Sequence, residues 1–412
     1  MERYNEYKDS GVQWLGEIPS HWEVCKVKHH YKMITGFTPS TGKSEYYSNN
    51  SDNTWVTIAD MKTKFISESS SHISDLYIKN FKPTIVPKGS LLYSFKLSVG
   101  QVAFADKDLY TNEAISSFEN NENVCLGFLF YSASLCIIKN ANTNIYGAFI
   151  LNQELIKNAT IVYPPFAEQK AIANYLDTAT AKIDEAIAQQ QKMIDLLNER
   201  KQIIINNAVT KGLNPDAPMK DSGVDWIGKI PEHWMTRRMR YLCKIKTGDK
   251  DTINRVDEGK YPFYVRSPKV ERINSYTFDG EAVLMAGDGV GAGKVFHYVN
   301  GKFGCHQRVY IFHDIKNING EYLYFYMKSL FKHTIEQLSA KSTVDSVRLN
   351  MIQDFIVAIP TNEEQTSILS YLHKQIEKFD VAIANATKQI SLLQERKQII
   401  INDVVTGKVK VS

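Results

Sequence analysis

The sequence lacks a long apolar run and lacks the cysteine spacing of a zinc or disulfide framework. No stretch of its 412 residues approaches the roughly 18 consecutive apolar residues of a membrane-spanning helix. The five cysteines are odd in number and scattered, without a C-x-x-C pair, which predicts buried free thiols. The chain starts with charged and polar residues instead of an apolar signal core, so we expect a cytoplasmic protein with no membrane partner.

Complete catalytic motifs are also missing. Tyr163–Phe166 reads YPPF, which is similar to an adenine methyltransferase motif, but a tyrosine stands where that chemistry needs Asn or Asp. Gly287–Lys294 reads GDGVGAGK, and its spacing breaks the phosphate-loop pattern. The segment VFHYV that follows predicts a strand, not the helix whose N-terminus would bind phosphate. We therefore predict a tight turn at Gly287–Lys294, no metal site and no catalytic residue.

The net charge is small, but the basic residues are unevenly distributed. The 49 Lys and Arg against 45 Asp and Glu leave only +4. Between Arg237 and Ser275 there are 11 basic and 5 acidic residues, a local balance of 11 − 5 = +6. Such a basic stripe attracts phosphate groups.

The chain contains an internal repeat. KDSGVQWLGEIPSHW at Lys8–Trp22 matches KDSGVDWIGKIPEHW at Lys220–Trp234 at 11 of 15 positions, with an offset of 212. LLNERKQIIINNAVT at Leu196–Thr210 matches Leu392–Thr406 at 12 of 15 positions, with an offset of 196. The regions between these blocks have diverged, which indicates a shared scaffold around two different middles.

Two long helices are predicted at the ends of the halves. Gly and Pro are absent from Ala167 to Lys211, and apolar positions recur there in steps of four and three. Such stepping is typical of a coiled-coil seam, whose positions are Ile172, Leu176, Ala179, Ile183, Ala186, Gln190, Met193, Leu197, Arg200 and Ile204. The second half repeats the seam 196 residues later. Thr361 and Glu364 have capping-box spacing, so we expect the second helix to begin there.

Each middle is predicted to be a mixed α/β domain. Short β-branched and aromatic runs separated by Gly, Pro, Asn and Ser indicate strands. They are Thr54–Ile58, Leu91–Phe95, Gln101–Phe104, Tyr261–Val265, Ala282–Met285, Lys294–Val299 and Arg308–Phe312. A helix is expected at Tyr322–Leu338.

Exposed polar side chains of both middles are candidate DNA contacts. Arg pairs with guanine edges, Asn or Gln with adenine edges, and Lys or hydroxyl groups with phosphates. The candidates are Thr38, Ser40, Lys43, Tyr46, Lys96, Lys250, Arg255, Arg266, Lys269, Arg272, Lys294 and Arg308. A solvated face without a ligand is the alternative for each, and a core position is the alternative for Tyr46 and Trp55.

The duplicated entry segment and several motifs together resemble type I restriction–modification specificity subunits. The motifs are GFTPS at Gly36–Ser40, TWVTIADM at Thr54–Met61, YPPFAEQKAIANYLD at Tyr163–Asp177, IPTNEEQTSILSYLH at Ile359–His373 and the two ERKQIII segments. The resemblance covers nearly the whole chain. It implies two target-recognition domains that read a bipartite, asymmetric site on double-stranded DNA, and two conserved helices that act as a spacer.

The resemblance also implies partners and a non-catalytic role. Two modification subunits would methylate adenine with S-adenosylmethionine, and restriction subunits would cleave DNA with ATP and magnesium. This chain itself would hold no cofactor. The alternatives are a repeat-built scaffold that binds no DNA, or a stand-alone adenine methyltransferase or nuclease.

We therefore predict an α/β (α+β) protein with a pseudo-two-fold repeat. Two mixed α/β recognition domains alternate with two long helices that pair as an antiparallel coiled coil. The predicted segments are recognition domain 1 at 1–160, helical spacer 1 at 161–212, recognition domain 2 at 213–358 and helical spacer 2 at 359–412.

Overall fold

The computed structural model describes residues 2–49, 51–339 and 346–411. The chain divides into two compact units, of which unit 1 is Met1–Gln189 with Gln389–Ser412, and unit 2 is Gln190–Lys388. Each unit therefore holds one predicted recognition domain, the first part of one long helix and the last part of the other. The four predicted segment boundaries stay predictions, because this division follows contacts and cuts through both helices.

Unit 1 consists of short strands and helices that lead into the first long helix. Its strands are β1 (Tyr7–Asp9), β2 (Glu17–Pro19), β3 (Glu23–Lys26), β4 (Met33–Thr35), β5 (Tyr47–Ser48), β6 (Trp55–Val56), β7 (Phe65–Ile66), β8 (His72–Ile73), β9 (Leu91–Ser94), β10 (Val102–Ala105), β11 (Tyr110–Thr111), β12 (Ile115–Phe118), β13 (Asn142–Thr143), β14 (Phe149–Ile150) and β15 (Thr160–Tyr163). Its helices are α1 (Val27–His30), α2 (Asp75–Phe81), α3 (Leu126–Cys136), α4 (Gln153–Lys157) and the start of α5 (Phe166–Lys211).

Unit 2 has fewer and longer strands. They are β16 (Met219–Asp221), β17 (Lys229–Pro231), β18 (Met235–Arg238), β19 (Lys244–Thr247), β20 (Tyr261–Tyr264), β21 (Glu271–Ile273), β22 (Phe278–Ala286), β23 (Phe296–Cys305), β24 (Val309–His313) and β25 (Ile356–Ile359). The helices that begin here are α6 (Gly320–Ser339), α7 (Leu349–Gln353) and α8 (Asn362–Val405).

Both units are built around the same four antiparallel strands, although their sequences have diverged. The order is β4-β12-β9-β10 in unit 1 and β19-β24-β22-β23 in unit 2. The central strand is buried on both faces. Leu91 and Leu92 of β9 enter different cores, as do Val283 and Leu284 of β22. Burial on both faces explains why these strands read as continuous apolar runs instead of alternating ones.

A glycine at the same offset permits a close backbone approach in each unit. Gly36 and Gly248 are 212 residues apart and donate backbone hydrogen bonds to Ile115 (3.2 Å) and Val309 (3.1 Å). A Cβ atom would lie 2.0 Å from a carbonyl oxygen at Gly36 and 2.2 Å from one at Gly248. No side chain fits at either position, so both require glycine. The repeat therefore extends into the middles, where sequence identity is otherwise lost.

The repeated entry segments cover the ends of the long helices. Trp22 and Trp234 are fully buried at 0% exposure. Trp22 packs against Gly407, just after α8 ends, and Trp234 packs against Gly212, just after α5 ends. Both glycines are left-handed, with φ of +76° and +74°, as is common at helix C-termini.

The starts of the two long helices are also equivalent. The predicted capping box is confirmed, since the backbone N–H of Thr361 donates to Glu364 Oε2 (3.1 Å) and that of Glu364 donates to Thr361 Oγ1 (3.3 Å). In unit 1 the equivalent position is Glu168, which lies 2.9 Å from His21. In unit 2 Glu364 lies 2.8 Å from His233.

Two ion pairs, again 196 residues apart, connect the helices in an antiparallel sense. Lys397 lies 2.7 Å from Asp184 in unit 1, and Lys201 lies 2.6 Å from Asp380 in unit 2. The residue numbers of both pairs sum to 581, as antiparallel pairing requires. The predicted seam is shifted at two points of α5, because Met193 and Arg200 are exposed whereas the adjacent Ile194 and Lys201 are half-buried. A straight helix of 3.6 residues per turn drifts away from a strict heptad in this way.

Most predicted elements of the middles are confirmed. Leu91–Phe95 corresponds to β9, Gln101–Phe104 to β10, and the expected helix Tyr322–Leu338 lies within α6. The segment after Gly287–Lys294 is strand β23, and GDGVGAGK itself forms the predicted turn. The Thr54–Ile58 prediction was too long, because β6 ends at Val56 and a 3-10 turn follows.

Candidate nucleic-acid interface

In unit 2, the turn between β22 and β23 gathers basic side chains that are distant in sequence. Arg266 Nη1 lies 3.1 Å from Asp288 Oδ1, and Arg308 Nε lies 3.6 Å from Asp288 Oδ2. The Arg266 and Arg308 side chains remain 46% and 63% exposed, whereas Asp288 is 21% exposed. One carboxylate therefore orients two guanidinium groups and leaves a net positive charge, an arrangement suited to phosphates and guanine edges.

Lys250 and His306 join this cluster through the main chain. Lys250 donates its N–H to the carbonyl of Cys305 (3.1 Å) and accepts a hydrogen bond from Gln307 N–H (2.9 Å). His306 is 4% exposed, and its Nδ1 accepts the backbone N–H of Arg308 at 3.0 Å. A protonated imidazole has no acceptor, so this contact requires neutral His306 with its proton on Nε2.

We expect the stability of unit 2 to decrease at acidic pH because of His306. Burial lowers the pKa of His306, and the nearby Arg266 guanidinium lowers it further. The unfolded chain, with an ordinary histidine pKa of about 6.5, therefore binds a proton more readily than the folded chain. The stabilisation is fully present above about pH 6.5 and is lost as the pH falls through the lower pKa of the folded state. Urea unfolding at several pH values across this range measures the effect.

The variant His306→Asn is the matched control for this prediction. Its amide oxygen still offers an acceptor to the Arg308 N–H but does not titrate. We expect the variant to lose less stability than the wild type on acidification. An equal loss in both proteins would show that His306 does not carry the effect.

The other basic candidates of unit 2 have more local partners. Arg255 and Lys269 approach Glu271 at 3.7 and 3.8 Å. Arg272 donates its Nε hydrogen to a main-chain carbonyl of the loop before β20 (2.9 Å), which gives it a structural role. Lys294 is exposed, and no ion pair within 4 Å of it is found among the residues that the structure describes. Their contacts with DNA stay predictions.

The candidates of unit 1 lie on two separate loops. Thr38 and Ser40 are exposed after β4, and Lys43 follows on the same loop. Lys43 Nζ lies 5.1 Å from the ring centroid of Tyr46 and donates to its hydroxyl (3.1 Å). Lys96 is exposed on the turn between β9 and β10. These positions also stay predictions.

An aromatic cluster supports the loop after β4. Trp55 is 8% exposed, and its Nε1 donates to the carbonyl of Phe37 at 3.0 Å, so Trp55 is a core residue. Tyr46 is half-buried and packs edge-on against Tyr77 and Phe81, with centroids 5.1 and 5.6 Å away. The loop is thus held by rings beneath it while its polar side chains face outward.

Sequence reasoning missed the roles of Asp288 and His306. Asp288 pairs with Arg266, 22 positions away, and His306 accepts a hydrogen bond from Arg308, two positions away. The available signals were the acidic residue inside the GDGVGAGK turn and the histidine next to Gln307 and Arg308. Neither signal indicates by itself that Asp288 lies between two arginines.

Two other kinds of site, a metal centre and a membrane span, are absent from the described residues. Residues 2–49, 51–339 and 346–411 contain no cluster of His, Cys, Asp and Glu able to hold a metal ion. Within the same ranges, no helix combines the length and the apolar character that a membrane span needs. The five cysteines are free thiols, of which Cys136 and Cys305 are buried as predicted, whereas Cys25, Cys125 and Cys243 are half-buried.

Comparison with known proteins gives a consistent result. The model of the type I restriction modification DNA specificity domain matches residues 19–194 and 231–392. The type I restriction enzyme EcoDI specificity subunit of Escherichia coli is 34% identical over 173 residues, which cover 42% of this chain and 36% of that protein. The MjaIX specificity subunit of Methanocaldococcus jannaschii is 23% identical over 98% of this chain and 97% of its own length.

A solved structure supports the fold. One chain, from work on complex assembly and conformational transition of the type I restriction–modification system, has a TM-score of 0.71 at 14% identity. It covers 95% of this chain and 99% of its own. Because the family model matches both halves, this chain belongs to the family of type I restriction–modification specificity subunits, the non-catalytic components of these systems.

Proposed function

We propose that this chain reads a bipartite, asymmetric site on double-stranded DNA, with one half read by each recognition domain. The observation that carries the proposal is the pair of four-strand frameworks with different side chains on their loops. Unit 2 presents Arg266 and Arg308 around Asp288, whereas unit 1 presents Lys43 and Tyr46. Two domains with the same sheet framework but different exposed side chains suit two different half-sites.

We further propose that two copies of one modification subunit dock on the two long helices. The long helices carry the same ion pair twice, at Lys397–Asp184 and at Lys201–Asp380. Equivalent surfaces on both halves support binding of two identical partners. These partners would methylate adenine with S-adenosylmethionine. Restriction subunits would cleave DNA with ATP and magnesium, and the whole complex would act in the cytoplasm. The catalytic residues would then belong to the partners.

The proposal is tested by co-expressing the chain with the modification subunit of its own system and mapping methylated adenines in the host DNA. We expect methylation at one split, asymmetric sequence with a fixed gap. The chain alone with S-adenosylmethionine is the control and should methylate nothing. A stable complex that leaves the DNA unmodified would instead support the scaffold alternative.

The salt dependence of DNA binding distinguishes a DNA-reading subunit from a scaffold that binds no DNA, independently of methylation. A complex that contacts about 6–10 phosphates should lose about 10³-fold or more in DNA affinity between 50 and 200 mM salt. A scaffold without DNA contacts would show no specific affinity at either salt concentration. Fluorescence anisotropy with a labelled duplex that contains the mapped site measures this difference.

A further inference from the structure

The turn that follows the central strand is the same structural element in both units. In unit 1 the turn joins β9 to β10, and the N–H of Gly100 donates to the carbonyl of Ser94 (2.9 Å). In unit 2 it joins β22 to β23, and the N–H of Gly293 donates to the carbonyl of Ala286 (2.8 Å). Each unit therefore presents a closed turn at the same place in its sheet.

The turn of unit 1 exposes a large apolar side chain at its tip. Leu97 is 94% exposed and has a left-handed backbone with φ of 59°. That conformation costs about 1 kcal/mol or more for a residue other than Gly, and it persists only where the surroundings impose it. An exposed apolar side chain on a strained backbone does not stabilise the isolated protein, so its position indicates a ligand.

The base of this turn is held firmly. Ser94 is fully buried, and its Oγ accepts the N–H of Gln101 (3.0 Å) and donates to the carbonyl of Ser98. Ser134 of α3 donates its hydroxyl hydrogen to the carbonyl of Gly100 (2.7 Å). These contacts fix the direction in which Leu97 projects.

The turn of unit 2 exposes an apolar residue in the same way. Val290 is 96% exposed and lies between Gly289 and Gly293, whose φ angles are +69° and +60°. A Cβ atom at Gly293 would lie 2.0 Å from Ile335 Cδ1 of α6. The turn therefore packs closely on the helix behind it, as the turn of unit 1 does on α3.

Basic residues stand beside both tips. Lys96 directly precedes Leu97 and is exposed. In unit 2, Arg266 and Arg308 flank Asp288, two positions before Val290. A solvated apolar tip next to cations fits a polyanion with an apolar interior. Nucleic acid has this chemistry, since its phosphates bind the cations while its base stack accepts an apolar wedge.

We propose that Leu97 and Val290 insert into the base stack of the DNA, one in each half-site, beside the adenine that is to be methylated. This inference rests on the proposed function and names the side chains that open the duplex. An enzyme that modifies a base must first take that base out of the stack. An apolar side chain that occupies the opened step would lower the cost of this extrusion.

The test uses the complex of the full chain with its modification subunits, bound to duplexes that carry 2-aminopurine at successive positions of the mapped site. The fluorescence of 2-aminopurine rises when the base is unstacked. We expect a rise at one step in each half-site for the wild type. Leu97→Asn should abolish the rise in one half only, and Val290→Ala in the other half only. Each substitution should weaken DNA binding about tenfold.

The two variants serve as controls for each other. Asn adopts left-handed backbone readily, so Leu97→Asn keeps the turn and removes only the apolar wedge. If both variants retain wild-type fluorescence and affinity, the wedge proposal is overturned while methylation of a split site by the wild type still supports the proposed function. If the wild-type complex methylates no split site, the proposed function itself fails, and the wedge proposal falls with it.

Discussion

Exchange of residues 27–159 for the corresponding segment of another specificity subunit is expected to change one half of the methylated sequence and to leave the other half unaltered. The exchanged segment carries the sheet of unit 1 together with its turns and the loop after β4. All unit 2 contacts around Asp288 remain. Mapping of methylated adenines after co-expression with the modification subunit measures the outcome.

The structure decides where the junctions of this exchange must lie. Exchange at residues 24 and 160 would divide the ladder in which β3 pairs with β15, with Cys25 opposite Ile161. Junctions at 27 and 159 leave that ladder native. The equivalent junctions in unit 2 are 239 and 355, which directly follow β18 and directly precede β25 and therefore leave the β18–β25 ladder native. The reciprocal exchange of 239–355 should change only the other half. A change of both halves by either exchange would contradict the two-reader proposal.

Removal of a buried tryptophan is expected to have the largest effect on stability. Trp234→Ala should lower the free energy of unfolding by about 3–5 kcal/mol, because it empties a fully buried site. The variant also leaves Gly212 uncovered where α5 ends. Urea unfolding followed by circular dichroism measures the loss. Met235→Ala, at a neighbouring residue that is 57% exposed, is the control and should change stability by about 0.5 kcal/mol or less.

The equivalent tryptophans are expected to differ in one respect. Trp234 Nε1 donates to Glu364 Oε1 at 3.3 Å, whereas Trp22 Nε1 is buried and finds no acceptor within the described residues. Replacement by Phe removes a hydrogen bond at Trp234 but relieves an unsatisfied donor at Trp22. Trp234→Phe should therefore be the more destabilising of the two. The reverse order in urea unfolding would contradict the assigned hydrogen bond.

The long helices were predictable because their signals are local. The absence of Gly and Pro, the four-and-three stepping and the Thr361–Glu364 box each depend on residues within one or two turns. The structure confirms the long helices and the capped start of α8. It differs at Met193 and Arg200, which are exposed, and accumulated helical drift turns Lys201 toward the partner helix instead of Arg200.

The equivalence of the two middles was not predictable from identity at aligned positions. Central strands β9 and β22 are buried on both faces, and such strands tolerate many apolar sequences of similar volume. Few residues are therefore constrained to be identical. The pair Gly36 and Gly248 is an exception, because a backbone carbonyl occupies the space of a side chain at both positions.

The sequence by itself determined the two-fold plan, the long helices, the mixed α/β class and the family resemblance, since each of these depends on composition, spacing or identity along the chain. Only the tertiary structure decided which candidate side chains meet. Arg266, Asp288 and Arg308 are brought together by pairing of strands that are distant in sequence. The exposure of Leu97 and Val290 likewise results from how each turn is closed and supported from behind. Contacts between distant segments depend on strand register, and register is set by the packing of the whole sheet.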